Sequence, residues 1–220
     1  LYGNATIGGG ALHLTERHEG QLGSYAIALR TPGAPFFSAR LSVMLGTAVG
    51  SADSAGAGGE GLAFCYGELP PDAPFGEMGV PEGLCVRLRT YTHLTMEASC
   101  NGTVLASQPM GGGTFAQRSG SPLRSGAFKP LDVARVPGDG LRVAFDADGG
   151  ADEAVTLHVP EEVLAPLYAP APTWRFGVGA RAGTTPAAHQ VDALLLTSAG
   201  FVGEAGVGLR GANNAQQFSA

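Results

Sequence analysis

The stretch Asp146-Ala-Asp-Gly-Gly-Ala-Asp152-Glu153 is the densest run of potential metal ligands in the chain. Acids alternating with glycines can offer carboxylate oxygens to calcium. The glutamate expected at the twelfth position of a helix–loop–helix calcium loop is missing, and the flanks read as strands. The stretch is therefore read as an acidic hairpin turn. Glu161 and Glu162 are adjacent and diverge, so they cannot flank a glycosidic bond as a catalytic pair. No Gly-x-Ser-x-Gly, His-Glu-x-x-His or phosphate-loop pattern occurs. The histidines His13, His18, His93, His158 and His189 show no metal spacing beyond the isolated His13/His18 pair. Catalysis finds little support, and the chain is expected not to be an enzyme.

Three cysteines offer redox chemistry: Cys65, Cys85 and Cys100. Side-chain parity along extended segments selects the pair. In Leu62-Ala-Phe-Cys-Tyr66, the residues Leu62, Phe64 and Tyr66 make one apolar face, so Cys65 points the other way. In Leu84-Cys-Val-Arg-Leu-Arg-Thr90, Leu84, Val86 and Leu88 face the core and leave Cys85, Arg87 and Arg89 outside. Cys100 falls in phase with Leu94, Met96 and Ala98. The expectation is a Cys65–Cys85 disulfide and a free, inward Cys100. A bulge would flip the phase and permit Cys85–Cys100 instead. Three reduced thiols, or a spare cysteine linked to another chain, are the alternatives.

Strands must position these groups. The 220 residues include 35 glycines and 15 prolines, punctuation that suits many short strands joined by turns. Alternating patterns predict strands over Ala11–Thr15, Ser24–Leu29, Phe37–Leu45, Gly61–Tyr66, Leu84–Thr90, Thr95–Ser99 and Thr103–Ser107. Others follow over Leu131–Arg135, Leu141–Phe145, Val155–Val159, Trp174–Ala180 and Val191–Thr197. Pro160–Tyr168 reads as a short helical turn opened by proline and two glutamates. Thr47–Glu60, Gln108–Ser125 and Thr184–Ala188 read as loops. The spacing is that of a sandwich or jelly roll, not of βαβ units.

Bulk properties exclude several partners. With 44% hydrophobic and 15% charged residues, the chain can build a core and is not an acidic disordered one. The net charge is −6 and the single lysine is Lys129, so no basic footprint for nucleic acid exists. No run of about 18 apolar residues is present, so no membrane insertion is expected.

The segment Trp174-Arg-Phe-Gly-Val-Gly-Ala-Arg-Ala-Gly-Thr-Thr-Pro-Ala-Ala-His189-Gln-Val-Asp-Ala-Leu-Leu-Leu196 reads strand, glycine-rich loop, histidine, strand. It resembles the C-terminal strand pair of legume-type lectins. Gly59-Glu-Gly-Leu-Ala-Phe64 resembles their Ala-Asp-Gly-Leu-Ala-Phe strand, and Gly83-Leu-Cys-Val-Arg-Leu-Arg-Thr-Tyr-Thr-His93 their Val-x-Phe-Asp-Thr-Tyr-x-Asn strand. Gly3-Asn-Ala-Thr-Ile-Gly-Gly-Gly-Ala-Leu-His-Leu-Thr15 resembles their first strand. These motifs occur in family order and span most of the chain. The sequence thus resembles the concanavalin A-like, L-type lectin domains, in particular divergent versions inside large extracellular proteins of protists and algae. The resemblance implies an all-β fold, an antiparallel two-sheet β-sandwich of the concanavalin A-like jelly-roll type.

In that family an aspartate of the Asp-Gly strand, an asparagine of a metal-held loop and the late glycine-rich loop bind sugar. Here Glu60 stands at the aspartate, Arg89 replaces the aspartate of Phe-Asp-Thr, and the asparagine position falls near His93. Glu97 is the only acid nearby. A calcium site wants about six to eight oxygens, and Arg89 brings positive charge where the ion would sit. No cofactor is assigned, with calcium kept as the alternative. What the resemblance leaves is a metal-free carbohydrate site. Glu60 opens one strand while Tyr91 and His93 end its antiparallel neighbour, so they share a sheet edge. The family match puts Arg181, Ala182, Gly183 and Thr184 beside them. Carboxylate, guanidinium, hydroxyl and aromatic ring together suit sugar recognition. The plainer readings are a solvated charge for Glu60 and a rim salt bridge to Glu60 or Asp192 for Arg181. They are loop support for His189 and core packing for Trp174.

Two N-glycosylation sequons, at Asn4 and Asn101, point with the disulfide to an extracellular or cell-surface location. Residues 1–198 are read as the lectin-like domain, and residues 199–220 as a linker and possible start of a following module. The sequence reading is a non-catalytic, lectin-like module within a larger cell-surface or fibre-forming protein. It would contact glycans or neighbouring extracellular protein modules, with copies of itself as a further candidate partner. A purely structural domain is the alternative, and a glycoside hydrolase is disfavoured.

Overall fold

In Phe37–Leu45 (β5) every second residue is apolar, and the buried and open residues alternate along the whole strand. That period of two is what a sheet with one face on a core requires. The same logic forms the other strands of a computed structural model. It describes residues 1–16, 18–30, 33–46, 60–90, 94–110, 127–146, 154–183 and 187–198.

Two seven-stranded antiparallel sheets make a sandwich. The first sheet is ordered β1 (Tyr2–Gly3), β4 (Leu22–Arg30), β13 (Arg175–Arg181), β6 (Gly61–Gly67), β7 (Gly83–Arg89), β8 (Thr95–Cys100) and β9 (Thr103–Pro109). The second is ordered β12 (Val155–Pro160), β11 (Gly140–Phe145), β10 (Lys129–Val136), β5, β14 (His189–Ser198), β3 (Ala11–Thr15) and β2 (Thr6–Gly8). Each strand read from the sequence is present, and β1 and β2 are additions too short to show a period. β9 runs on through Pro109, past the point where the glycine-rich loop was expected to begin. The helical turn is there as α1 (Glu161–Leu164), which buries Leu164.

Between the sheets, Leu62, Phe64 and Tyr66 of β6 meet Phe37, Leu41 and Val43 of β5 in one core. Rings organise its end: Tyr66 stacks on Phe176 at 4.3 Å and meets Trp174 edge-on at 5.5 Å. Trp174 is thus a core residue. Ala34 fixes two tyrosines there, its N–H donating to Tyr66 Oη and its carbonyl accepting from Tyr168 Oη.

The outer face of the first sheet is covered at β6 and β7 rather than open. Every residue of β6 is buried. Leu69, Phe75 and Val80, from the segment between β6 and β7, make a second apolar cluster with Ala63, Cys65 and Cys85. The Cys65–Cys85 disulfide lies inside it, joining directly opposed residues of β6 and β7. Cys100 is free and buried with the core set, as parity required. The covering segment acts as a strap. Gly79 has φ +71°, and a Cβ there would lie 2.6 Å from Cys85 Sγ and 2.9 Å from Cys65 Sγ. Only a glycine lets this backbone sit on the disulfide.

Candidate functional site

The ends of β6, β7 and β13 and the turn leaving β13 form one corner. The Glu60 N–H donates to the Arg181 carbonyl at 2.9 Å, and the Thr90 N–H donates to the Glu60 carbonyl at 3.2 Å. The Ala182 N–H donates to Gln21 O at 2.9 Å, and the Gly183 carbonyl accepts from the Gly20 N–H at 3.0 Å. The backbone under the predicted site residues is therefore fixed by four hydrogen bonds. This corner is a strand-end rim in the middle of the sheet, since β13, β6 and β7 are neighbouring interior strands.

On that backbone, Arg181 Nε meets Glu60 Oε2 at 3.0 Å. The Arg181 side chain is 51% exposed and that of Glu60 24% exposed. Of the two salt-bridge partners read for Arg181, the structure selects Glu60. Ala182 is fully buried beneath it. A Cβ on Gly183 would lie 2.5 Å from Glu60 Oε1, so the carboxylate rests on glycine backbone. Of the expected set, Glu60, Arg181, Ala182 and Gly183 are brought together. Tyr91, His93 and Thr184 lie outside the described residues, as does most of the acidic turn after Asp146.

One member of the corner escapes the motif reading. Glu77, on the strap, is only 5% exposed. Its carboxyl pKa is raised from the ordinary value, first by burial and then by the neighbouring Glu60 charge. Its own backbone N–H and the Arg181 charge offset part of that rise. The available signal was local: Phe75 and Val80 are apolar residues in a proline- and glycine-rich loop, which shows that the loop packs down.

Farther along the outer face, Arg87 lies directly across from Glu97 on the next strand and is 4% exposed. Burial lowers its pKa, and the Glu97 charge opposes that. The parity that put Arg87 on the outer face is right, but that face is not solvent here. Arg89 Nη1 holds Glu97 Oε1 at 3.2 Å. Two guanidiniums thus surround the one acid, where a metal site needs several carboxylates. Among the described residues no group of three His, Cys, Asp or Glu side chains could hold a metal ion. The described residues around Glu97 do not fit calcium.

His189 is 1% exposed and supports the loop before β14. Thr15 Oγ1 donates to the Ala187 carbonyl at 2.8 Å, so it accepts from His189 Nδ1 at 2.7 Å. That fixes the proton on Nδ1. Burial pushes the pKa of His189 down to about 4. Asn101, with φ 48°, and Gly102, with φ 76°, make the tight turn between β8 and β9. Asn101 Oδ1 accepts from the Gly83 N–H at 2.9 Å, and its Nδ2 donates to the Leu167 carbonyl at 2.8 Å. Asn4 is exposed, and its Oδ1 accepts from the Leu22 N–H.

The chain is similar in structure to the exoplasmic/lumenal domain of VIP36 in a calcium- and mannose-bound form, with TM-score 0.66 and 16% identity over 91% of this chain and 82% of that one. It is similar to the metal-free lectin I-B4 of Griffonia simplicifolia, with TM-score 0.62 and 16% identity over 90% and 91% of the two chains. The fold is the L-type lectin jelly roll. Arcelin-5, a lectin-like defence protein of Phaseolus vulgaris, shares it with TM-score 0.60 and 16% identity over 90% of each chain. No protein-family model and no curated protein matches the chain in sequence. The L-type lectin fold accounts for the ordered motifs read from the sequence, and at these identities the likeness is one of fold.

Proposed function

We propose that this chain is a non-catalytic, lectin-type module that binds a neutral glycan at the Glu60–Arg181 corner without a metal. The observation that carries the reading is the Glu60–Arg181 pair at 3.0 Å, seated on the bare backbone of Gly183. It offers acceptors and donors side by side on a rigid base, as recognition of sugar hydroxyls requires. Tyr91, His93 and Thr184 are proposed to complete the site. Similar structures carry mannose oligosaccharides, as the VIP36 domain does in its Man3GlcNAc-bound form.

Hydrolysis is disfavoured on geometry. Paired carboxyls that cleave a glycosidic bond stand about 5 to 10 Å apart across an open groove. Of the two acids at this corner, Glu77 is buried and Glu60 is paired with Arg181. A secretory or extracellular setting within a larger surface or fibre-forming protein fits the disulfide, because such bonds persist in oxidising compartments. N-glycans at Asn4 and Asn101 belong to the same proposal. A purely structural role is the second reading, favoured by the fact that Glu60 already has Arg181 as a side-chain partner in the protein.

A glycan-array screen of the isolated chain tests the proposal. Retention of neutral glycans is expected. Failure to retain any glycan would move the assignment to the structural reading.

A further inference from the structure

On the outer face of the second sheet, short side chains interrupt long ones. Alternation turns every second residue of β5, β10, β11 and β12 away from the core. Thr156, Ala144, Asp132, Arg40 and Leu195 stand side by side in register across β12, β11, β10, β5 and β14. His158, Arg142, Ala134 and Ser38 form the next row. Ala144, Ala134 and Ser38 thus floor a trough that crosses the strands between longer side chains. A cavity of about 550 Å³ lies there, within the range of about 300 to 1,000 Å³ for small-molecule sites. Leu195, 44% exposed, gives it an apolar side.

The charge of the lining runs against that of the chain. Two arginines and a histidine face one aspartate in a chain of net charge −6. Arg40 forks onto Asp132, Nε to Oδ1 at 3.0 Å and Nη2 to Oδ2 at 3.2 Å. Arg142 forks onto Asp139, outside the lining, through Nε and through Nη2 at 2.8 Å. Each fork orients a guanidinium plane and leaves Nη1 outside the pair. His158 Nε2 donates to the Asp139 carbonyl at 2.9 Å.

We infer that this trough is a second binding site, for a small aromatic anion: a flat apolar body carrying a carboxylate or a sulfonate. The methyl groups of Ala134 and Ala144 and the side chain of Leu195 cover the flat body. The oriented guanidiniums of Arg40 and Arg142 stack on its rings or meet its anionic group through Nη1. A neutral sugar suits the trough less well, because the floor is two methyl groups and the Ser38 hydroxyl. The trough lies on the sheet opposite the Glu60–Arg181 corner, so it stands or falls independently of the glycan reading.

Fluorescence titration of the full chain with anilinonaphthalene sulfonate tests the site, and saturation at one probe per chain is expected. Ala134→Leu, which fills the floor, should weaken binding by about tenfold or more. Ala144→Leu serves the same purpose should melting curves show that the first variant does not fold. Arg40→Gln and Arg142→Gln should each weaken the probe by about three- to tenfold, the worth of one exposed charged contact. Phenylnaphthylamine, which has the rings without the sulfonate, should bind more weakly by a similar factor and be indifferent to both arginine variants. The inference is overturned if the probe does not saturate, if a folded floor variant binds it like the wild type, or if the neutral probe binds as tightly as the anionic one. A dimer in sedimentation velocity that the floor variant dissolves would give the face to a second copy of the chain and overturn it as well.

Discussion

Glu60 and Arg181, separated by most of the chain, face each other at 3.0 Å across the ends of two adjacent antiparallel strands. The pair is half exposed, so its contribution to stability is small, about 0 to 1 kcal/mol. Its value lies in what it can present to a ligand. Glu60→Ala and Arg181→Ala are expected to abolish glycan retention while shifting the thermal midpoint by only a few degrees. Binding on a glycan array and a melting curve, measured on the same preparations, check both halves. Two alanine variants that bind like the wild type would remove the corner as the site.

The Cys65–Cys85 disulfide, spanning 20 residues, carries the strap and so supports the corner. Opening it is expected to cost about 3 kcal/mol from chain entropy. Intact mass with and without reductant should show one bridge, and a peptide map should join Cys65 to Cys85. Gly79→Ala should destabilise by a comparable amount, because its Cβ would meet both sulfurs. A variant as stable as the wild type would show that the strap does not rest on the disulfide.

His189 sets an acid limit on stability. Its pKa in the folded chain is about 4 against an ordinary 6.5. Between these values the unfolded chain takes up a proton that the folded chain refuses. The stabilisation is therefore complete above pH 6.5 and is lost as pH falls toward 4. The full loss amounts to about 3 kcal/mol. Chemical denaturation at a series of pH values should show this slope, and His189→Asn should flatten it. An unchanged slope in that variant would assign the acid sensitivity to other groups.

Asn101 adopts a left-handed backbone and uses both ends of its side chain on neighbouring backbone groups. Asn101→Ala is expected to cost about 1 to 2 kcal/mol whether or not a glycan is attached. Comparing melting points before and after enzymatic deglycosylation separates the two contributions. A neutral substitution would show that the β8–β9 turn does not depend on these bonds.

Most of the fold is legible in the residues because one face of most strands meets a single core. Phe37–Leu45 shows its period openly, and the parity of Cys65, Cys85 and Cys100 chose the right pair. The Asn101-Gly102 turn is read from its residue types. What parity could not show is the strap. An outer face looks polar or open from a strand's own sequence, yet Cys85 is buried by a segment that the strand does not contain. The candidate site was legible to the extent that motifs marked strand ends, where Glu60, Arg181, Ala182 and Gly183 lie together. Glu77 stayed hidden because it comes from an irregular loop whose landing point is set by Phe75, Gly79 and the disulfide, contacts distant in sequence from β13.

The most direct test is a glycan array probed with wild type and Glu60→Ala side by side, once in calcium and once in chelator. Retention of neutral glycans by the wild type in both conditions, lost in the variant, is the expected result, since Arg87 and Arg89 flank Glu97 where the resemblance would put a metal. Retention that requires calcium, or that survives the loss of Glu60, would contradict a metal-free site at this corner.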